Sequence, residues 1–194
     1  MDLFDFLKRR NVKWKVDIVF PYLKDEEKIL DFGCGDLKFA NELKKRNKDL
    51  DIIGVDIIEF PDRVKNIKFI KYDGHTLPFK DKSFDTVISF YVFHHCPSVE
   101  KALIECMRVA KKRVIFVEAV ARYRFEKYPM MLIDWIYNLW KMELIPFTSQ
   151  FYTEKKWIKI FKKHKIKNAF KKIQDTSFYF FPTGKAYVFE VSNN

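Results

Sequence analysis

Asp31, Gly33 and Gly35 stand at alternate positions where an apolar run ends, in Ile29-Leu30-Asp31-Phe32-Gly33-Cys34-Gly35. A buried strand that closes on a carboxylate and enters a glycine-rich turn can bring bare backbone against a ligand, because Gly permits the tight turn and carries no Cβ to hold the ligand off. What flanks the turn narrows the ligand. A dinucleotide fingerprint requires a third Gly three residues after the second, and that place is Lys38. A pyrophosphate prefers bare helix N-terminal amides, whereas Asp31 and Asp36 set two carboxylates beside this turn. The pattern suits a ligand carrying positive charge. No Gly-Lys-Ser/Thr follows the strand, which excludes a P-loop.

A second group with chemical capacity is Ser89-Phe90-Tyr91-Val92-Phe93-His94-His95. An imidazole titrates near neutrality and can serve as a general base, and a Tyr can shape a pocket or hydrogen-bond a reacting group. The plainer reading has one His capping the next helix and the other packing. Adjacent His side chains are expected to point different ways, so no metal site is expected. Cys34, Cys96 and Cys106 form no CxxC pair, which argues against a zinc ribbon or a disulfide framework and favours a reducing, cytoplasmic setting.

These residues need elements to position them. With 194 residues and 48% hydrophobic content, one domain of 1–194 is expected, large enough to bury a core without staples. Short apolar runs alternate with helical patterns, the signature of an α/β sheet. Strands are predicted at 28–32, 51–55, 67–71, 84–90 and 113–118. Helices are predicted at 38–48 and 98–111, Ser98 capping the second, and Thr153 caps a further helix bearing Trp157, Ile160 and Phe161. Segments 165–173 and 185–191 read as two antiparallel strands around a turn at Pro182-Thr183-Gly184. The result is a Rossmann-like doubly wound sheet, mostly parallel, with an antiparallel C-terminal strand. Residues 1–27 read as an N-terminal helical segment, with acids at Asp2 and Asp5 and late basic residues that do not make a signal peptide. No run reaches the roughly 18 apolar residues of a membrane span.

In order and spacing, the blocks between Lys28 and Glu118 resemble the class I S-adenosylmethionine-dependent methyltransferases, most closely the ubiquinone and menaquinone methyltransferase branch. Asp31-Phe32-Gly33-Cys34-Gly35 is similar to the family's first motif and Ile53-Gly54-Val55-Asp56 to its second. Lys71-Tyr72-Asp73-Gly74, Leu77-Pro78-Phe79, Ser83-Phe84-Asp85 and Glu105-Cys106-Met107-Arg108-Val109-Ala110-Lys111 resemble the later blocks. The resemblance implies S-adenosylmethionine as cofactor. Asp31 would receive its amino group, with Gly33 and Gly35 lining that side. Asp56 would take the ribose hydroxyls, Ile57 an adenine face, and Asp73 with Gly74 the adenine amino group; Ser89 joins this cofactor set. The fourth strand end, with Tyr91, His94 and His95, would face the transferred methyl. One departure is Leu37 where the family often has Gly, which predicts a slightly displaced helix.

The implied activity is methyl transfer to O, N or C of a small apolar or amphiphilic acceptor. Residues 119–150, with Tyr128, Met131, Trp135 and Trp140, are predicted as a helical lid, and the stripe Tyr128/Met131/Trp135 as the lining of an acceptor pocket above Tyr91. The alternative is that the stripe is core. The net charge of +11 and nine Lys between 151 and 172 raise an RNA acceptor or contact with anionic lipid as rivals to a solvated face. Nucleic acid is less favoured because no added RNA-binding domain is present. A non-catalytic cofactor-binding subunit is a third reading, kept by Leu37.

Overall fold

The computed structural model describes residues 3–24, 27–121, 123–140, 150–173 and 185–192. Helix α1 (Leu3–Val19) and a 3-10 turn (Phe20–Tyr22) lead into β1 (Lys28–Phe32), α2 (Lys38–Arg46), β2 (Asp51–Asp56), β3 (Lys68–Lys71) and β4 (Phe84–Phe90). A 3-10 turn (Phe93–His95), α3 (Val99–Val109), β5 (Ala110–Val120), α4 (Lys127–Trp140), α5 (Glu154–Lys163), β6 (Lys167–Ile173) and β7 (Lys185–Ser192) follow. The seven strands form one sheet in the order β3-β2-β1-β4-β5-β7-β6. β1 to β5 pair in parallel, and β7 is antiparallel to both β5 and β6.

The sheet is covered on both faces, because alternate residues of the same strand feed two different cores. Leu30, Val87, Val114, Phe116 and Phe189 pack with α3 and α5 residues such as Leu103 and Trp157. Ile29, Ile88, Ile115, Val117 and Val188 pack with Val16 and Val19 of α1 and Phe39, Ala40 and Leu43 of α2. Phe116 stacks on Phe189 at 4.7 Å between ring centroids, which ties the parallel strands to the antiparallel pair.

The caps behave as read. Ser98 Oγ accepts from the Lys101 N–H and Thr153 Oγ1 from the Lys156 N–H. Helix α3 begins one residue later and ends two residues earlier than predicted, since Ala110 already belongs to β5. β5 in turn runs to Val120, so the first two residues of the predicted lid are strand. The turn at 182–184, the side chain of Trp140 and those of Lys171 and Lys172 lie outside the described residues. Among the described residues no helix is long and apolar enough to cross a membrane.

Candidate functional site

Because β1, β2, β4 and β5 run in parallel, their C-terminal ends share one edge. The β1 end carries Asp31, the β2 end Asp56, the β4 end Ser89 and Tyr91, and the β5 end Glu118. This is the edge at which ligands bind in open α/β sheets.

The turn after β1 is held by its neighbour strand: the Gly33 and Cys34 N–H groups both donate to the Val55 carbonyl, at 2.9 and 3.2 Å. Gly33 has φ +71°, and a Cβ there would lie 2.3 Å from Val92 Cγ2, so only Gly fits. Gly35 is also left-handed, but a Cβ there would meet nothing within 4 Å; its bare face opens onto space. Leu37 takes φ 62° as the N-cap of α2. It adopts the left-handed conformation itself, and its buried side chain occupies the space over Gly54, where a Cβ would lie 2.3 Å from Leu37 Cδ2. The departure from the family pattern is thus matched within the chain by the missing side chain of Gly54.

Asp31 is 4% exposed, and its Oδ2 is buried without a hydrogen-bond partner. Burial pushes its carboxyl up to about 7; Lys15 opposes the shift, and Asp56 and Asp36 add to it. A buried carboxylate of this kind is costly unless a cation compensates it. Ser89 Oγ is likewise buried and unpartnered. Asp56 Oδ2 accepts from the Gly35 N–H at 2.9 Å and Oδ1 from the Ile58 N–H at 3.1 Å, which fixes the carboxylate and leaves lone pairs for a diol. Burial raises its pKa while these backbone bonds hold it back.

Ile57 and Gly74 come together, since a Cβ at Gly74 (φ +83°) would stand 3.3 Å from Ile57 Cγ2. Asp73 is exposed, and its Oδ1 accepts from the His75 and Thr76 N–H groups, so its first duty is to close the loop. The Glu105 to Lys111 block has a physical role as well. Glu105 accepts from the Leu77 N–H, and Arg108 donates to the Leu77 and Phe79 carbonyls and to Asp81. α3 thereby clamps the loop that follows Asp73 and Gly74.

On the other side of the edge, Tyr91 has φ +57°, uncommon for an aromatic residue, and its N–H donates to the Val117 carbonyl at 2.9 Å. His94 is buried: its Nδ1 lies 2.7 Å from Glu118 Oε2, its ring stacks on Phe151 at 4.7 Å, and Glu118 Oε1 accepts from the Phe93 N–H. The His94 and His95 rings are 4.1 Å apart, and the Nε2 atoms of both lie 3.8 Å from Asp134 Oδ1. This corrects the expectation that the two imidazoles point apart; the 3-10 turn at 93–95 and the docking of α4 swing both toward Asp134. Burial disfavours charge on His94, yet Glu118 and Asp134 outweigh it and raise the group to about 9. Burial and the charge of His94 push His95 down to about 3.

The predicted aromatic stripe is not core. Tyr128 is 64% exposed, with Met131 and Trp135 also exposed, while Met130, one residue away, is fully buried against Ala119, Ala121, Phe151 and Tyr91. Sequence reasoning passed over Glu118 and Asp134. The available signal was a lone acid inside each of two apolar runs, Val114–Val120 and Met130–Ile136. On α5 the residues Lys155, Lys156, Lys159, Lys162 and Lys163 are exposed while Trp157, Ile160 and Phe161 are buried, so the Lys stripe faces solvent.

Fold and edge together define a Rossmann-like α/β protein whose parallel-strand ends carry the carboxylates of Asp31 and Asp56 beside a glycine turn. The methyltransferase domain family matches residues 30–117. A demethylmenaquinone methyltransferase of Thermotoga maritima is 31% identical over 69% of this chain and 66% of its own length. A ubiquinone/menaquinone biosynthesis C-methyltransferase of Rickettsia prowazekii is 30% identical over 71% of this chain and 60% of its own. The chain therefore spans about two thirds or less of the length of these curated relatives. A solved SAM-dependent methyltransferase from Aquifex aeolicus shares the fold, with a TM-score of 0.63 at 17% identity over 92% of this chain and 89% of that one. The chain belongs to the class I S-adenosylmethionine-dependent methyltransferases. The residues present fit that cofactor: a buried carboxylate with one oxygen left without a hydrogen bond for an ammonium, an anchored carboxylate for a diol, and an open glycine face beside them.

Proposed function

We propose that this chain transfers a methyl group from S-adenosylmethionine to a small apolar or amphiphilic acceptor of the quinone class. The observation that carries the reading is the buried, unpartnered Asp31 Oδ2 beside the glycine turn. The cofactor supplies a methyl group on a good leaving group, a sulfonium. Asp31 binds the amino group and Asp56 the ribose, while Ile57, Asp73 and Gly74 bound the adenine side and Ser89 Oγ offers a further polar contact. These residues fix one end of the transfer line, and alignment supplies much of the acceleration. Tyr91, His94 and His95 bound the acceptor side. His94 Nδ1 is committed to Glu118, so its role there is to orient and shape.

The relatives' names point to quinone precursors, and the exposed apolar face of α4 suits such an acceptor. In this reading α4, within the 119–150 segment, acts as its cover. The three free, buried thiols accord with a reducing cytoplasm. Calorimetry with S-adenosylmethionine and transfer of labelled methyl to a demethylmenaquinone-type quinol test the proposal. Expected are cofactor binding and a labelled product. Preferential binding of NAD, or cofactor binding with no product on quinol, lipid or RNA acceptors, would overturn it, the latter in favour of a non-catalytic subunit. Labelled RNA as the product would make the Lys face of α5 the acceptor surface.

A further inference from the structure

We propose that His94 Nε2, His95 Nε2 and a carboxylate oxygen of Asp134 form a three-ligand site for a divalent first-row transition metal ion of the zinc type, with Glu118 as the outer carboxylate that orients His94. The inference goes beyond the methyl-transfer reading and does not depend on it.

The three ligand atoms lie within 4.8 Å of one another, and each Nε2 stands 3.8 Å from Asp134 Oδ1. At that separation neither contact is a hydrogen bond. Ligands about 2.0–2.1 Å from a tetrahedral zinc ion stand roughly 3.3 Å apart, so each imidazole–carboxylate contact of 3.8 Å has to close by about 0.5 Å and no pair within the 4.8 Å set by more than about 1.5 Å. The donor set comes from two elements distant in sequence, the 93–95 turn and α4, brought together by the burial of Met130 beneath the helix. Side chains on one turn of one helix meet by periodicity alone; these meet only because the fold places them.

The surroundings have the form of a metal centre's outer shell. A metal-bound imidazole commonly donates its other N–H to a carboxylate, which fixes the tautomer and aims the free lone pair at the ion. Glu118 Oε2 lies 2.7 Å from His94 Nδ1, and Glu118 is itself held by the Phe93 N–H. Metal binding displaces the proton from Nε2 and leaves the one on Nδ1, which Glu118 accepts, so the Nε2 lone pair turns to the ion beside Asp134. Phe151 stacks on the His94 ring and the Gln150 N–H donates to the His94 carbonyl at 2.7 Å, so the ligand is pinned before any ion arrives. Two imidazoles and one carboxylate match the donor preference of zinc and its neighbours better than that of magnesium or calcium, which take oxygen. Three protein ligands leave a coordination position open. The site lies at the C-terminal edge of β4 and β5, where an oxygen of an acceptor could occupy that position.

The test strips the purified chain with a chelator, then titrates it with Zn2+ and with Co2+, whose visible absorption reports its ligands. One equivalent should bind, with a spectrum of nitrogen and oxygen coordination and no thiolate charge-transfer band. Asp134→Asn keeps the side chain's shape and should weaken binding on the order of 100-fold; Glu118→Gln should weaken it about 10–100-fold, the usual effect of losing an outer-shell partner. His95→Gln serves as a second ligand variant in case Asp134→Asn fails to fold, with far-UV circular dichroism as the check. Binding that is unchanged in a folded ligand variant, absent from the native chain, or thiolate-bound would overturn the site. Calorimetry with S-adenosylmethionine in parallel separates the two readings. A chain that takes the cofactor but no metal refutes only this inference, and one that takes metal but no cofactor refutes only the methyl-transfer reading.

Discussion

The two halves of the sheet's C-terminal edge are built by different means. The half around β1 and β2 is made of backbone: left-handed glycines, a carbonyl of the neighbouring strand, and two carboxylates within 25 residues of each other in the chain. The half around β4, β5 and α4 is made of side chains from distant segments, with Glu118, His94, Asp134 and Phe151 joined around one buried cluster. A site built from local backbone is written in consecutive residues. A site built from distant side chains exists only when α4 docks. The difference teaches that the glycine-turn half belongs to the framework, whereas the histidine half depends on how α4 sits.

The comparison can be broken most forcefully at Glu118. Replacing it by Ala strands the His94 Nδ1 and the Phe93 N–H in a dry setting, and breaking a buried pair of this kind costs about 3–5 kcal/mol. Chemical denaturation of Glu118→Ala should show that loss, and a stability close to the parent's would mean the cluster is not tightly coupled. Next comes Gly33→Ala on the cofactor half. Left-handed backbone and the collision with Val92 together should cost about 2–4 kcal/mol. A folded Gly33→Ala chain with parental affinity for S-adenosylmethionine would show that the turn is looser than its geometry indicates.

Asp31 sharpens the comparison through pH. Its folded-state pKa of about 7 lies above its unfolded value near 4. The folded, ligand-free chain thus holds a proton that the unfolded chain gives up. The contribution of Asp31 to stability is full below about pH 4 and is lost as pH rises through 7. A cationic ligand selects the ionised form, so affinity for S-adenosylmethionine should rise roughly tenfold between pH 6 and pH 7.5. Asp31→Asn should abolish that rise and weaken binding by about 1.5–3 kcal/mol, the scale of a hydrogen bond to a charged group. Calorimetry at several pH values measures both, and a flat profile in the parent chain would remove Asp31 from the ammonium site. The smallest effect on stability belongs to the exposed face of α4: Trp135→Ala should shift the unfolding free energy by no more than about 0.5 kcal/mol. In the proposed function it should raise KM for a quinone-class acceptor and leave cofactor affinity unchanged; steady-state kinetics beside calorimetry separates the two.

Much of this was legible in the chain itself. β1 at Lys28–Phe32 and β4 at Phe84–Phe90 match their predicted bounds residue for residue, because a buried parallel strand needs an unbroken apolar run and the breakers on either side of each are plain. The turn after β1 was legible for a related reason, since Gly33 and Gly35 take the left-handed backbone that consecutive residues encode. Less could be read of α4. Helical spacing placed Tyr128, Met131 and Trp135 on one stripe, but periodicity does not say which stripe faces inward, and the fold buries Met130 instead. The histidine pair misled for a similar reason: neighbours in a strand diverge, whereas neighbours in a 3-10 turn facing a common carboxylate can converge.

By itself the sequence determined the alternation of strands and helices, the two caps, the glycine turn and the carboxylates that end β1 and β2, because each of these is set by interactions among residues close in the chain. Only the tertiary structure decided that Leu37 fills the space above Gly54, that Arg108 clamps the loop after β3, and that Glu118, His94, His95 and Asp134 meet. Those contacts bridge segments up to 40 residues apart. They form only when burial of the two cores has already offset the entropy of bringing such segments together.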